Sequence, residues 1–194
     1  MKYEVIDIRG IPQGQLSLWF SQADWAAQNR LLRFRRKADY VRSLCADHLA
    51  RKMLAEALGC DPASISLGRT ESGKPYMEHS PVEFNLSHSG NYAVCAIHTS
   101  PIGVDLESLR PIRPELCKRV CNGEEFSFVY SDGCFDSERF FRIWTAKEAF
   151  LKQQGRGISC NLQAVPVMNE GRLCYPSARL FQTQERDYVL SIAH

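Results

Sequence analysis

Two heptapeptides about half a chain apart constrain this fold more than any other feature. Tyr92-Ala-Val-Cys-Ala-Ile-His98 and Tyr188-Val-Leu-Ser-Ile-Ala-His194 start and end alike, and both are apolar enough to be buried strands. Each follows a long amphipathic helix by several tens of residues. Two similar α/β halves of an α+β chain, with a site between them, would account for this echo; chance is the alternative for so short a match. A length of 194 residues fits two such halves, divided here as 1–100 and 101–194, and is enough to bury a real core.

The second helix runs through Arg142-Ile-Trp-Thr-Ala-Lys-Glu-Ala-Phe-Leu-Lys152, which has good helix formers and no Gly or Pro. Trp144, Glu148 and Lys152 fall at i, i+4 and i+8 and share one face. That face suits an anion together with a metal, or else it is an exposed Glu–Lys pair worth a few tenths of a kcal/mol. Before it, Pro101-Ile-Gly-Val-Asp-Leu-Glu107 alternates apolar and acidic residues as a strand does, so Asp105 and Glu107 lie on one side. Two carboxylates that close repel unless a cation sits between them. An oxygen-only pair suits Mg²⁺, which completes its shell with water and phosphate oxygens; the plainer alternative is an exposed edge strand.

In the first half, Val41, Leu44, Cys45, His48, Leu49 and Met53 recur at helical spacing through Tyr40–Leu58, with Gly59 as the stop. Upstream, Ser21 is the expected cap of a helix, with Asp24 three positions on. Arg30, Arg33, Arg35, Arg36, Lys37, Arg42, Arg51 and Lys52 form a basic run opposed only by Asp39 and Asp47. It is either a solvated face or a docking surface for something multiply anionic. Few aromatics are interleaved and the net charge is only +2, which argues against nucleic acid. In Gly68–Pro75, Gly73 frees the backbone and Pro75 stiffens it around Lys74. Pro75 stands where a Walker A loop needs Ser or Thr. Ser87 and His88 offer a hydroxyl and an imidazole at a strand end, without a Gly-x-Ser-x-Gly elbow to make either serine beside the histidine a nucleophile.

Elsewhere, Pro114–Tyr130 is expected to be helical in part, Ser131–Ser137 a loop, and Leu162–Met168, Arg179–Gln182 and Asp187–His194 strands. The second helix is expected to close at Gln154–Gly157. The eight cysteines lack C-x-x-C spacing and read as reduced thiols. The N-terminus alternates like a strand and lacks a signal-peptide core, and no window spans a membrane, so the expected location is cytoplasmic.

In order and spacing, Gly73-Lys-Pro75, Phe84-Asn-Leu-Ser-His-Ser89, Ile102-Gly-Val-Asp-Leu-Glu107 and Trp144–Lys152 resemble the signature series of 4'-phosphopantetheinyl transferases of the larger, surfactin-synthetase-activating type. The resemblance covers about Arg30 to Gly157. It implies a pseudo-dimeric fold in a monomer. The implied reaction moves the phosphopantetheine arm of coenzyme A to a serine of an apo acyl or peptidyl carrier protein, releasing adenosine 3',5'-bisphosphate. It implies Mg²⁺, or Mn²⁺, on Asp105, Glu107 and Glu148, with Glu148, Lys152 and Asp105 catalytic and Lys147 and Lys152 neutralising phosphates. Arg42, Lys74, Pro75, Ser87 and His88 would hold the adenosine and its 3'-phosphate, joined by Arg30, and Glu125 would match a further acid of relatives. The competing classes are a non-catalytic coenzyme A-binding module and a Mg²⁺-dependent phosphohydrolase.

Overall fold

The computed structural model describes residues 1–71, 73–131, 133–156, 161–175 and 177–194. They form two compact units, Met1–Pro101 and Ile102–His194. In the first, β1 (Lys2–Asp7) leads into the helices α1 (Gln13–Gln22), α2 (Trp25–Leu31) and α3 (Lys37–Leu58). A short hairpin of β2 (Gly68–Arg69) and β3 (Pro75–Tyr76) precedes β4 (Glu83–Ser89) and β5 (Tyr92–His98). The sheet is antiparallel in the order β1-β5-β4. α3 covers it with Leu44, Cys45, Met53 and Leu54, all fully buried, and stops where Gly59 turns left-handed at φ 69°.

A polar element runs through this apolar packing. Arg51 is 3% exposed; its Nε donates to Asp47 (2.8 Å) and its Nη2 to Asp24 (2.8 Å), while Arg30 reaches Asp47 from outside (3.1 Å). Burial without those partners would cost several kcal/mol. The same Asp24 caps α2 by accepting from the Ala27 amide (2.8 Å). The expected cap at Ser21 is therefore wrong: Ser21 lies inside α1, its hydroxyl satisfied by Leu18 O (2.8 Å), and the new helix starts after Asp24.

The second unit begins with β6 (Gly103–Ser108) and the short helices α4 (Glu115–Val120) and α5 (Gly123–Val129). A small hairpin of β7 (Tyr130–Ser131) and β8 (Cys134–Phe135) then leads into α6 (Ser137–Gln153). Beyond it come β9 (Met168–Asn169), β10 (Arg172–Leu173), β11 (Leu180–Gln184) and β12 (Tyr188–Ala193). Its sheet is antiparallel in the order β11-β12-β6, with α6 packed on it. Both units thus share one plan: strand, long helix, then two strands, the last inserted between the others. The repeated heptapeptides are β5 and β12, the central strand of each sheet.

Two expectations for this half change, and a third holds. Ser131–Ser137 contains the β7–β8 hairpin, and Asp136 caps α6 through the Glu138 and Arg139 amides, so the helix starts five residues before Arg142. Leu162–Met168 is mostly not strand: Asn161 caps a single 3-10 turn at Leu162–Ala164, and pairing starts only at Met168. α6 ends at Gln153 with Gln154 as its cap, where the close was expected; Gly157 lies outside the described residues. Among the described residues seven cysteines are free thiols, and no helix is long and apolar enough to cross a membrane.

Gly103 sets how closely β6 approaches α6. A Cβ there would meet the carbonyl oxygen of Ala149 and the backbone nitrogen of Gln153 well inside van der Waals contact. Backbone on both sides leaves nothing flexible to move aside. Gly103→Ala is expected to cost about 2–4 kcal/mol, at or above the usual overpacking range, read as a lower urea midpoint.

Candidate active site

The close approach of α6 to β6 brings the acidic strand and the Glu–Lys face of the helix together. Asp105 (5% exposed) pairs in register with Ser191 of β12, and Ser191 shares a hydrogen bond with Thr145 of α6 (2.8 Å). Gln182 of β11 donates to both Ser191 (2.8 Å) and the Arg142 carbonyl (2.9 Å), and the Tyr175 hydroxyl donates to the Ala146 carbonyl (2.7 Å). These bonds fix the rotation of α6 about its axis. Glu148 and Lys152 then face β6.

Lys152 Nζ donates to Asp105 Oδ1 (2.7 Å) and to the Val104 carbonyl (3.0 Å). Glu148 is 3% exposed and its Oε1 is buried with no hydrogen-bond partner. Burial first, then the negative charge of Asp105, pushes the Glu148 carboxyl up to about 7; Lys152 opposes the shift and Glu107 adds to it. Glu107 itself turns to Arg110 on the surface (2.7 Å). Among the described residues no three His, Cys, Asp or Glu side chains are gathered around one point. The donor set nevertheless fits a hard divalent cation: three carboxylates, two of them buried and repelling, one with an orphaned oxygen. Closing it requires Glu107 to exchange Arg110, a half-exposed surface partner, for the cation.

In the first unit, adjacent residues of α3 engage the β4–β5 end. Arg42 Nη1 donates to the Gly90 carbonyl (2.8 Å) while the same guanidinium pairs with Asp39. The hydroxyl of Ser43 lies 3.5 Å from His88 Nε2. Ser87 precedes His88 on β4 and is 9% exposed, on the opposite face of the strand. Lys74 and Pro75 sit apart on the β2–β3 hairpin, where the Lys74 amide donates to Thr70 Oγ1 (3.1 Å) and Arg69 holds the Gly73 carbonyl (2.6 Å). Arg30 is engaged with Asp47.

Residues 13–100 match the model described as 4'-phosphopantetheinyl transferase, N-terminal, and residues 101–193 that of the 4'-phosphopantetheinyl transferase superfamily. A 4'-phosphopantetheinyl transferase of Bacillus subtilis is 35% identical over 167 residues, covering 85% of this chain and 75% of the relative. The chain belongs to the 4'-phosphopantetheinyl transferase superfamily. The 4'-phosphopantetheinyl transferase Sfp of Bacillus subtilis strain 168 is 36% identical over 137 residues, 70% of this chain and 61% of its own. A third relative, the Bacillus subtilis 4'-phosphopantetheinyl transferase ffp, is 31% identical over 85% of this chain and 75% of its own.

Within this transferase, Lys147 does not occupy the place expected for a phosphate ligand. It is fully buried, its Nζ 2.6 Å from Glu125 Oε2 and 2.7 Å from the Leu162 carbonyl. The next residue along a helix points about 100° away, so one helix turns Lys147 into the core and Glu148 toward β6. Glu125 is equally buried; it closes a capping box with Asn122 and accepts from the Val167 amide (3.0 Å). Both residues tie α5, α6 and the 162–167 segment together. Sequence reasoning missed Ser43, Thr145, Tyr175 and Ser191. A hydroxyl residue in a mid-helix apolar pattern, as at Ser43 and Thr145, was the available signal.

Proposed function

We propose that this transferase moves the 4'-phosphopantetheine arm of coenzyme A onto a serine of an apo acyl or peptidyl carrier protein. The proposal includes dependence on Mg²⁺, with Mn²⁺ as substitute, action as a monomer, and release of adenosine 3',5'-bisphosphate. The observation that carries it is the buried Asp105–Glu148 pair, one lysine-held and the other with an orphaned oxygen and a carboxyl raised to about 7. A purely structural ion pair has no use for the second carboxylate.

A cation held by Asp105, Glu107 and Glu148 would supply charge neutralisation at the pyrophosphate. Phosphoryl-type transfer asks the protein mainly for positioning and electrostatics. Lys152 orients Asp105 and adds positive charge for the phosphates. Glu148, which a bound cation would hold ionised, would accept the proton of the incoming serine, directly or through a water. Arg42, Lys74, Pro75, Ser87 and His88 are assigned to the adenosine and its 3'-phosphate, His88 as a donor oriented by Ser43.

Intact-protein mass spectrometry of an apo carrier incubated with the chain, coenzyme A and Mg²⁺ tests this. The expected result is a gain of one phosphopantetheine arm, abolished by EDTA and by Asp105→Ala. No gain across several carrier types while coenzyme A still binds would leave a binding module. Coenzyme A turnover without any carrier would mean hydrolysis.

A further inference from the structure

One row of polar side chains crosses the second sheet beneath α6. Gln182 of β11, Ser191 of β12 and Asp105 of β6 stand in register, Gln182 opposite Ser191 and Ser191 opposite Asp105. Cross-strand neighbours of that kind project from the same side of a sheet, here the side that α6 covers. The helix carries a matching stripe at Arg142, Thr145, Glu148 and Lys152, spaced by three, three and four residues. Each member of the row bonds one of the stripe: Gln182 with Arg142, Ser191 with Thr145, and Asp105 with Lys152. Glu148 falls between the last two of these contacts along the helix, with Oε1 unpartnered.

The hydrogen bonds of this seam run one way. The Thr145 hydroxyl donates to the Phe141 carbonyl (2.8 Å), so only its lone pairs are left for Ser191. Ser191 must therefore donate to Thr145 and accept from Gln182 Nε2. Gln182 is oriented in turn by Arg142, whose Nε donates to its Oε1 (2.8 Å) and whose carbonyl takes the other amide hydrogen (2.9 Å). Arginine has no side-chain acceptor, so the chain cannot reverse. Thr145 and Ser191 are fully buried. Apolar residues of the same size would pack there with little loss, so stability alone does not call for hydroxyls. A satisfied polar network in a dry interface selects one arrangement among several that bury equal area. Turning α6 by one residue, about 100°, would break all three contacts at once.

We infer that Gln182, Ser191 and Thr145 are positioning residues for the cation site. They touch neither metal nor substrate; they hold α6 at the setting that presents Glu148 to Asp105. The inference rests on the transferase reading for the cation and its use.

The test titrates the full chain with Mn²⁺, read by the electron paramagnetic resonance of the free ion, with Asp105→Ala as background. Urea midpoints in EDTA and steady-state transfer to an apo acyl carrier protein accompany it. Thr145→Val and the double variant T145V/S191A are expected to raise the Mn²⁺ Kd by roughly 10- to 100-fold. The transfer rate at limiting Mn²⁺ should fall in parallel, with KM for the carrier within about twofold of the parent. The urea midpoint of the double variant should stay near that of the parent, because both hydroxyls leave together. Thr145→Ser keeps the hydroxyl and should restore the parent Kd. A double variant with a normal midpoint and the parent Mn²⁺ Kd overturns the assignment and leaves the seam as packing. If that variant does not fold, Gln182→Leu, altered at a partly buried position of β11, decides instead. A Kd raised about threefold or more is expected there, and the parent value overturns the assignment. A parent chain that binds no Mn²⁺ above background overturns it as well, together with the cation it serves. Mn²⁺ bound by the parent and lost in the variants, with no arm transferred to any carrier, would sink the transferase reading and leave the seam standing.

Discussion

At pH 8 in EDTA, Glu148→Gln should unfold at a higher denaturant concentration than the parent chain, while in Mg²⁺ its transfer rate should fall by roughly 10²- to 10⁴-fold. Burial, then Asp105 and Glu107, against the pull of Lys152, raises the Glu148 carboxyl from the ordinary 4.5 to about 7. Between those values the folded chain still holds a proton that the unfolded chain has released. Stability therefore falls as pH rises through that window. Above it the whole cost is present, on the order of 3 kcal/mol. Gln carries none of it, so the advantage of the variant should be small at pH 4 and full by pH 8. Added Mg²⁺ should stabilise the parent at pH 8 and leave the variant unchanged. Urea midpoints at several pH values, with and without the cation, check this. Equal midpoints at pH 8 would mean that Glu148 is comfortable as an anion without metal, and an unimpaired transfer rate would remove it as the base.

Lys147→Met should cost about 3–5 kcal/mol, because it leaves Glu125 as an uncompensated charge in a dry interior. The double variant with Glu125→Gln should recover much of that loss, since Gln still bonds part of the surrounding backbone and carries no charge. A double-mutant cycle should give a coupling above about 2 kcal/mol. The fraction of the single variant that folds should bind coenzyme A with unchanged affinity. Weakened coenzyme A binding with normal stability would return Lys147 to the phosphates.

The sequence was most legible where periodicity and chemistry coincide. Asp105 and Glu107 on one strand face, and Glu148 one turn before Lys152, follow from periods of two and 3.6, and the fold brings both sets together. The stop at Gly59 followed from its freedom to turn left-handed. Pairing was not legible. Whether Lys147 points to solvent or to Glu125, 22 positions earlier, depends on how α5 and α6 meet, and local spacing carries no trace of that. The same holds for Arg30 and Arg51, which sequence counts as surface charge and the fold spends on Asp47. Ser21 and Asp24 are both good caps; the choice between them lay in where α1 stops, a tertiary matter.

The central position of β12 has a kinetic consequence. β6 bears Asp105 and Glu107, yet its only sheet neighbour among the described strands is β12, with Ser108 opposite Tyr188 some eighty residues later. Such a closure is entropically late, so the acidic strand has no fixed place while the intervening helices are already forming. Carboxylate repulsion is then harmless during folding, because the chain stays solvated until the final strand slides in. Affinity for a divalent cation would consequently appear in one step at the end of folding, making the ion a reporter of the finished half rather than a template for it.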